Sequence, residues 1–228
     1  MEDIDTIAVL QDPVRRRLYE YVVAQGREVG RNEAAEAAGV ARTLAAHHLD
    51  RLAEAGLLES GSRRLTGRSG PGAGRPAKVY TRARTEWAVS LPARDYRTAA
   101  ELLAEAAEHA GLDAGLCAAA RRRGEALRGS AAPCGGLEEA MEVLAARGYE
   151  PHLEGEGADG AAGPAAAVVR MRNCPFHSVA ERFPPLVCGM NLALLEGLLG
   201  TDGPVSARMD ARPGECCVVV ESSKNNRH

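Results

Sequence analysis

The chain is poor in aromatic residues and lysine, and it has no long apolar run. Its 228 residues include one Trp, two Phe and five Tyr, so its cores must be built from aliphatic and small side chains. No segment approaches the roughly 18–20 consecutive apolar residues that a membrane span needs, and no membrane partner is expected. The opening residues, Met1-Glu2-Asp3-Ile4-Asp5, are acidic and lack the form of a secretory leader, so a cytoplasmic location is expected. No two cysteines are separated by two residues, which excludes a zinc knuckle or ribbon. There is no phosphate loop, nucleophile motif or paired acid–base set, so the chain is not expected to be an enzyme. The formal net charge of −3 excludes a uniformly basic nucleic-acid coat. The length suits two small domains.

The charge is unevenly spread. Residues 1–90 carry 14 basic and 12 acidic groups, the remainder 14 and 19. Between Gly61 and Arg84 there are seven basic residues and no acidic one. This basic stretch follows a pattern that reads DNA. Residues 31–40 form a short helix ending at the turn glycine Gly39. Residues 41–58 contain a second helix, whose Leu44, His48, Leu49, Leu52 and Ala55 recur at helical spacing and predict its buried face. Gly56 is placed to end it in a left-handed cap. Two helices joined by a tight turn make a helix-turn-helix. From Leu57 the chain reads as a strand, then a Gly/Ser/Pro/Arg loop over 61–74, then a returning strand over 75–81. That hairpin is a wing, and its arginines suit phosphate or the minor groove.

On the second helix, Arg42, Thr43, Ala46 and His47, with Arg51 one turn later, lie opposite the predicted buried face and are the candidate groove contacts. Arg42 can grip guanine at two points, and Thr43 and Ala46 can meet a thymine methyl. His48 is expected to pack against the first helix. In the wing, Arg63, Arg64, Arg68, Arg75 and Lys78 are the candidate phosphate contacts.

The rest of the chain reads as follows. A first helix is expected over 4–26, with Asp12-Pro13 resembling an internal helix start. Helices over 95–110 and 113–127 carry small, Ala-rich faces. These are expected to pair across a homodimer rather than within one chain, because two-fold operators are matched by dimers. A Gly/Ala/Pro linker over 129–136 precedes an amphipathic helix over 137–148. Strands are expected before Leu153 and over 165–172, 205–210 and 216–221, a turn region over 154–164, a helix after Pro185, and a polar end over 222–228. The expected class is α+β: a winged helix-turn-helix domain over 1–92, central dimerisation helices over 93–130 and a small α+β sensor domain over 131–228.

Cys174, Cys188 and Cys216 each fall at the end of an expected element. Thirteen residues separate the first two and 27 the second two. Three such thiols can converge, and thiolates suit soft metals, zinc and iron–sulfur clusters. A place at a helix N-terminus would favour the thiolate of Cys188. His177, three residues after Cys174, can reach back over a turn. Cys217, adjacent to Cys216 in an expected strand, should point to the opposite face. Cys117 is expected to pack in a core, and Cys134 is incidental.

Taken together, the helix-turn-helix, the wing return Gly74-Arg75-Pro76-Ala77-Lys78-Val79-Tyr80, the stretch Pro92-Ala93-Arg94-Asp95-Tyr96 and the three spaced cysteines resemble SufR-type regulators. These are ArsR/DeoR-like winged-helix proteins that control DNA binding with an iron–sulfur cluster. The resemblance implies that Cys174, Cys188 and Cys216 are ligands of a cluster, with 4Fe–4S the leading type. It also implies repression of cluster-assembly genes while the cluster is bound. A cubane wants a fourth ligand, for which His177, solvent, a small thiol or a carboxylate are candidates. Zinc is the alternative metal. The partner is a double-stranded DNA operator.

The two classes of DNA contact separate in a salt-titrated binding assay. Arg42→Ala is expected to lose discrimination between operator and non-operator DNA. Arg68→Ala is expected to weaken both alike and to lower the salt slope by about one unit.

Overall fold

The computed structural model describes residues 2–63, 76–154 and 167–223. The wing-tip candidates Arg64, Arg68 and Arg75, most of the turn region expected over 154–164 and the last five residues lie outside the described residues. The chain forms two compact units, residues 1–94 and 95–228. The architecture is α+β. Among the described residues no helix is long and apolar enough to cross a membrane.

In the first unit, α1 (Glu2–Ala8) and a 3-10 turn (Val9–Gln11) lead to α2 (Pro13–Gln25). The helix expected over 4–26 is therefore divided at Asp12-Pro13. The Asp12 carboxylate accepts from the backbone N–H groups of Val14 and Arg15 at 2.9 Å, and Pro13, which has no N–H to offer, starts the new helix. Next come β1 (Val29–Gly30), α3 (Arg31–Ala38), α4 (Arg42–Glu54), β2 (Leu58–Arg63) and β3 (Ala77–Arg82). Gly39, at φ 65°, ends α3 in the left-handed conformation that favours glycine. Gly56, at φ 76°, does the same after α4, where Leu57 N–H returns to the Leu52 carbonyl at 3.0 Å. The strands pair antiparallel in the order β1-β3-β2, with Leu58 opposite Arg82 and Arg63 opposite Ala77. This is the winged-helix arrangement.

The core of this unit joins Leu18 and Val22 of α2, Ala34 of α3, Leu49 and Leu52 of α4, and Tyr80 of β3, all with at most 1% exposure. Each large aliphatic among them contributes on the order of 1.5–3 kcal/mol of burial. The buried stripe of α4 is Ala45, His48, Leu49 and Leu52. Leu44, expected inside, is 41% exposed. Position 45, not 44, lies one turn before Leu49, so the small residue takes the core site and the leucine points out.

The second unit runs α5 (Tyr96–His109), α6 (Asp113–Arg128), α7 (Leu137–Ala145), β4 (Pro151–Leu153), β5 (Val168–Met171), α8 (His177–Ala180), α9 (Pro184–Leu199), β6 (Val205–Met209) and β7 (Val218–Ser222). Its sheet is antiparallel in the order β4-β5-β7-β6. Leu195, Leu198 and Leu199 of α9 join Leu144 of α7 and Val169, Val218 and Val220 of the sheet in one core. Ala104 of α5 packs with Phe183, Leu186 and Val187 around the start of α9.

The small residues of α6 are used within the chain. A Cβ on Gly124 would overlap the Leu194 carbonyl, and a Cβ on Gly197 would overlap the Arg121 carbonyl. The α6 and α9 backbones therefore touch through reciprocal glycines. Arg121 pairs with Glu196, and Arg128 Nε donates to the Gly197 carbonyl at 3.2 Å. By contrast, α5 leaves Tyr96, Leu102 and Leu103 exposed at 74%, 61% and 72%.

Gly124→Ala or Gly197→Ala is expected to wedge the crossing and cost about 1–3 kcal/mol, read as a lowered urea midpoint by circular dichroism. Gly115→Ala, on the same helix but facing open space, is expected to be neutral or to gain up to about 1 kcal/mol from helix propensity.

Candidate functional site

The candidate DNA-reading face is built by α4 and the wing strands. Arg42, Thr43, His47 and Arg51 are exposed on α4, and Ala46 is half-buried beside them. Leu44 joins this face, a position that spacing alone had assigned to the core. Its apolar side chain suits a thymine methyl. Arg42 forms no ion pair among the described residues and lines an open groove with Arg27, Arg31, Arg63 and Lys78. Arg51 pairs with Glu54 and Arg63 with Glu28, each at 3.3 Å. Both pairs are exposed and cost little to exchange for phosphate. His48 is buried as expected, and Arg15 Nε on α2 donates to its Nδ1 at 3.4 Å. Burial lowers its pKa and so disfavours the charged ring.

The reading helix is tied to the wing through one carboxylate. Asp50 of α4 accepts from Tyr80 Oη at 2.6 Å, Lys78 Nζ at 2.7 Å and Arg31 Nη2 at 2.7 Å. Arg31 Nε also donates to Tyr80 Oη at 2.9 Å. Burial pushes the Asp50 pKa up, but the hydrogen bonds from Lys78, Tyr80 and Arg31 outweigh it and bring it down to about 2. Tyr80, buried and bonded to that carboxylate, is pushed up to about 12. Lys78, a candidate phosphate contact, thus also positions β3. Sequence spacing did not reveal this junction, because its members come from α3, α4 and β3.

The thiols converge in the second unit. Cys174 follows β5 and begins the turn into α8, with His177 N–H bonded to its carbonyl at 3.0 Å. Cys216 N–H bonds to the Met171 carbonyl at 2.9 Å, which brings the approach to β7 alongside the end of β5. The neighbouring Cys216 and burial raise the Cys174 pKa, while the proximity of Cys174 lowers that of Cys216. Cys188 lies one turn inside α9, behind Pro184 and Pro185, not at the helix N-terminus. It is disulfide-bonded to Cys217, with the two Cα atoms 6.3 Å apart.

Cys217 was expected to face away from its neighbour, on the assumption that 216–221 is one strand. β7 begins at Val218, and the chain bends at Cys217, so strict alternation does not apply. Asn191, one turn beyond Cys188, is buried, and its Nδ2 donates to Cys216 Sγ at 3.4 Å. Tyr149 Oη donates to Asn191 Oδ1 at 2.6 Å. Neither residue was singled out from sequence. A lone Asn in the apolar run 186–199 was the available signal. His177 is exposed and pairs with Glu181 at 3.2 Å along α8. Cys117 of α6 lies against Gly189, and Cys134 is buried in the second-unit core.

The turn that carries Cys216 and Cys217 is braced by charge. Arg170 of β5, 1% exposed, pairs with Asp210 at 2.6 Å and Glu154 at 3.2 Å and approaches Glu215 at 3.6 Å.

The chemistry of the donor set, sulfur from several segments, fits zinc or an iron–sulfur cluster. With Cys188 bonded to Cys217, no group of three or more His, Cys, Asp or Glu among the described residues is placed to hold a metal ion. A cluster on Cys174, Cys188 and Cys216 therefore requires that bond to be open.

Residues 10–61 match a protein family described as a helix-turn-helix domain. The match spans α2, the two reading helices and the start of the wing, and it supports DNA binding by this unit. No curated protein and no solved structure matches the chain.

Asp50→Asn removes the charge that holds Arg31 and Lys78. It is expected to cost about 1–2 kcal/mol, followed by fluorescence of Trp87, the single Trp, which lies in this unit. Asp50 is charged and stabilising above its ordinary value of 3.8, and this contribution fades as pH falls toward about 2. The stability gap between wild type and variant is therefore expected to be widest above about pH 4 and to close toward pH 2.

Proposed function

We propose that this protein is a DNA-binding transcription regulator, acting as a homodimeric repressor, whose operator affinity is set by an iron–sulfur cluster on Cys174, Cys188 and Cys216. The observation that carries the reading is that α9 meets the Cys216-Cys217 turn, Cys188 being bonded to Cys217 and Asn191 reaching Cys216 Sγ at 3.4 Å. When bound, a cluster supplies redox sensitivity and lability to oxidants. The protein's own contribution is to deliver the thiols from β5, α9 and the approach to β7, to hold Cys216 through Asn191, and to brace the turn through Arg170. The exposed apolar face of α5, carrying Tyr96, Leu102 and Leu103, is the surface for a second copy, and a two-fold dimer would present two reading heads to a two-fold operator. The fourth cluster ligand comes from solvent, a small thiol or His177, whose ring must then leave Glu181.

The second reading is a thiol-redox or zinc regulator without a cluster. The Cys188–Cys217 bond favours its thiol-redox form.

Anaerobic reconstitution with iron and sulfide tests the first reading. A brown protein with matching iron and sulfide content is expected, with loss of colour in each of Cys174→Ser, Cys188→Ser and Cys216→Ser. Coupling to DNA requires different affinities with and without cluster, about 5–150-fold apart for a typical allosteric linkage. Equal affinities in the two states would sink the regulatory reading.

A further inference from the structure

We propose that Cys188 and Cys217 form a reversible redox disulfide in the metal-free chain, and that this bond and a metal or cluster on Cys188 exclude each other. The exclusion rests on the reading given under Proposed function; the disulfide does not. The thiols divide into two pairs. Cys174 and Cys216 remain free thiols, while Cys188 and Cys217 are joined, with Cα atoms 6.3 Å apart, inside the range that a disulfide spans without backbone movement.

Both partners are set in place by structure that does not depend on the bond. Cys188 is carried by α9, locked to α6 by Gly124 and Gly197. The Cys217 carbonyl accepts from Asp210 N–H at 2.8 Å, and the preceding Cys216 N–H is bonded to Met171. The bend at Cys217 allows both sulfurs of the vicinal pair to face the α9 side. Cys188 and Cys217 are half-buried, within reach of a small oxidant, whereas Cys216 is 2% exposed. The thiol adjacent to Cys216 is therefore built as the oxidation partner of Cys188, not as a spare ligand.

The oxidant is a hydroperoxide. One thiolate of the pair attacks its terminal oxygen: the S–O bond forms, the O–O bond breaks, and the departing alkoxide or hydroxide takes a proton. The second thiol then attacks the sulfenic sulfur. The S–S bond forms, the S–O bond breaks, and the hydroxyl leaves as water with the second thiol's proton. Two thiols are oxidised by two electrons and one peroxide is reduced. A thiol reductant reverses the bond by exchange.

The test uses the full chain, metal-free and reduced, treated with hydrogen peroxide, alkylated and mapped by mass spectrometry. The expected product is a Cys188–Cys217 linked peptide, with Cys174 and Cys216 alkylated. Dithiothreitol removes the link, and Cys217→Ser abolishes it. A dominant link between any other pair, or no link under excess peroxide, overturns the proposal. Cobalt(II) then probes exclusion through its thiolate absorption. Reduced wild type and Cys217→Ser are expected to take the ion, while oxidised wild type and Cys188→Ser are expected to refuse it. Loss of cobalt in Cys217→Ser as complete as in Cys188→Ser would make Cys217 a ligand and overturn the proposal, leaving the cluster reading intact. Uptake by oxidised wild type would overturn the exclusion. If reduced wild type takes no cobalt, the metal reading fails, and the peptide map alone still decides for or against the disulfide.

Discussion

Helix α9 has no uncommitted side, and the second unit depends on that. One side meets α6 backbone to backbone, at a distance that leaves no room for a methyl group. Another lies on the sheet through Leu195, Leu198 and Leu199, and its first turn is closed by Phe183 and Ala104. What remains faces the thiols, with Cys188 and Asn191 one turn apart. Packed interiors are bistable rather than softly deformable. A chemical change at Cys188 is therefore applied to a rigid pair of helices and not absorbed by local repacking.

The two functional regions are fixed by different forces. On the reading face, Asp50 collects Arg31, Lys78 and Tyr80, so the angle between α4 and the wing is set by partly buried electrostatics. At the thiols, the buried guanidinium of Arg170 and the amide of Asn191 orient a turn that has little apolar surface of its own. A buried arginine is tolerated only when its charge is compensated, and Asp210 and Glu215 do this from the β6–β7 turn and Glu154 from the end of β4.

Local features were legible in the sequence where chemistry and spacing coincide within one element. Asp12-Pro13, Gly39 and Gly56 marked their boundaries because capping and left-handed turns demand those residue types. The wing strands and the strands of the second sheet were likewise visible. β1 was not, since two residues cannot show a period. Leu44 and Ala45 were exchanged because each stands four residues before a buried residue, His48 and Leu49 respectively, so spacing alone does not choose between them. The Ala-rich face of α6 signalled a close neighbour without saying which one, and α9 proved to be that neighbour. Cys217 was turned the wrong way by assuming a strand that starts two residues before β7 does. The Tyr149–Asn191–Cys216 chain and the Arg170 cluster join residues tens of positions apart, and no local pattern encodes them.

The grip of Asp50 on Lys78 has a consequence for how the wing meets a polyanion. A free lysine on a phosphate displaces a condensed cation from the duplex. Lys78 already has its anion, supplied by the reading helix itself. For it to touch DNA, one partner must be traded for another, while Asp50 keeps Arg31 and Tyr80. Asp50 is in this sense a resident counter-ion. On the DNA-binding reading proposed above, it would make the basic face less sticky toward arbitrary DNA and reserve Lys78 for a site where α4 already fits.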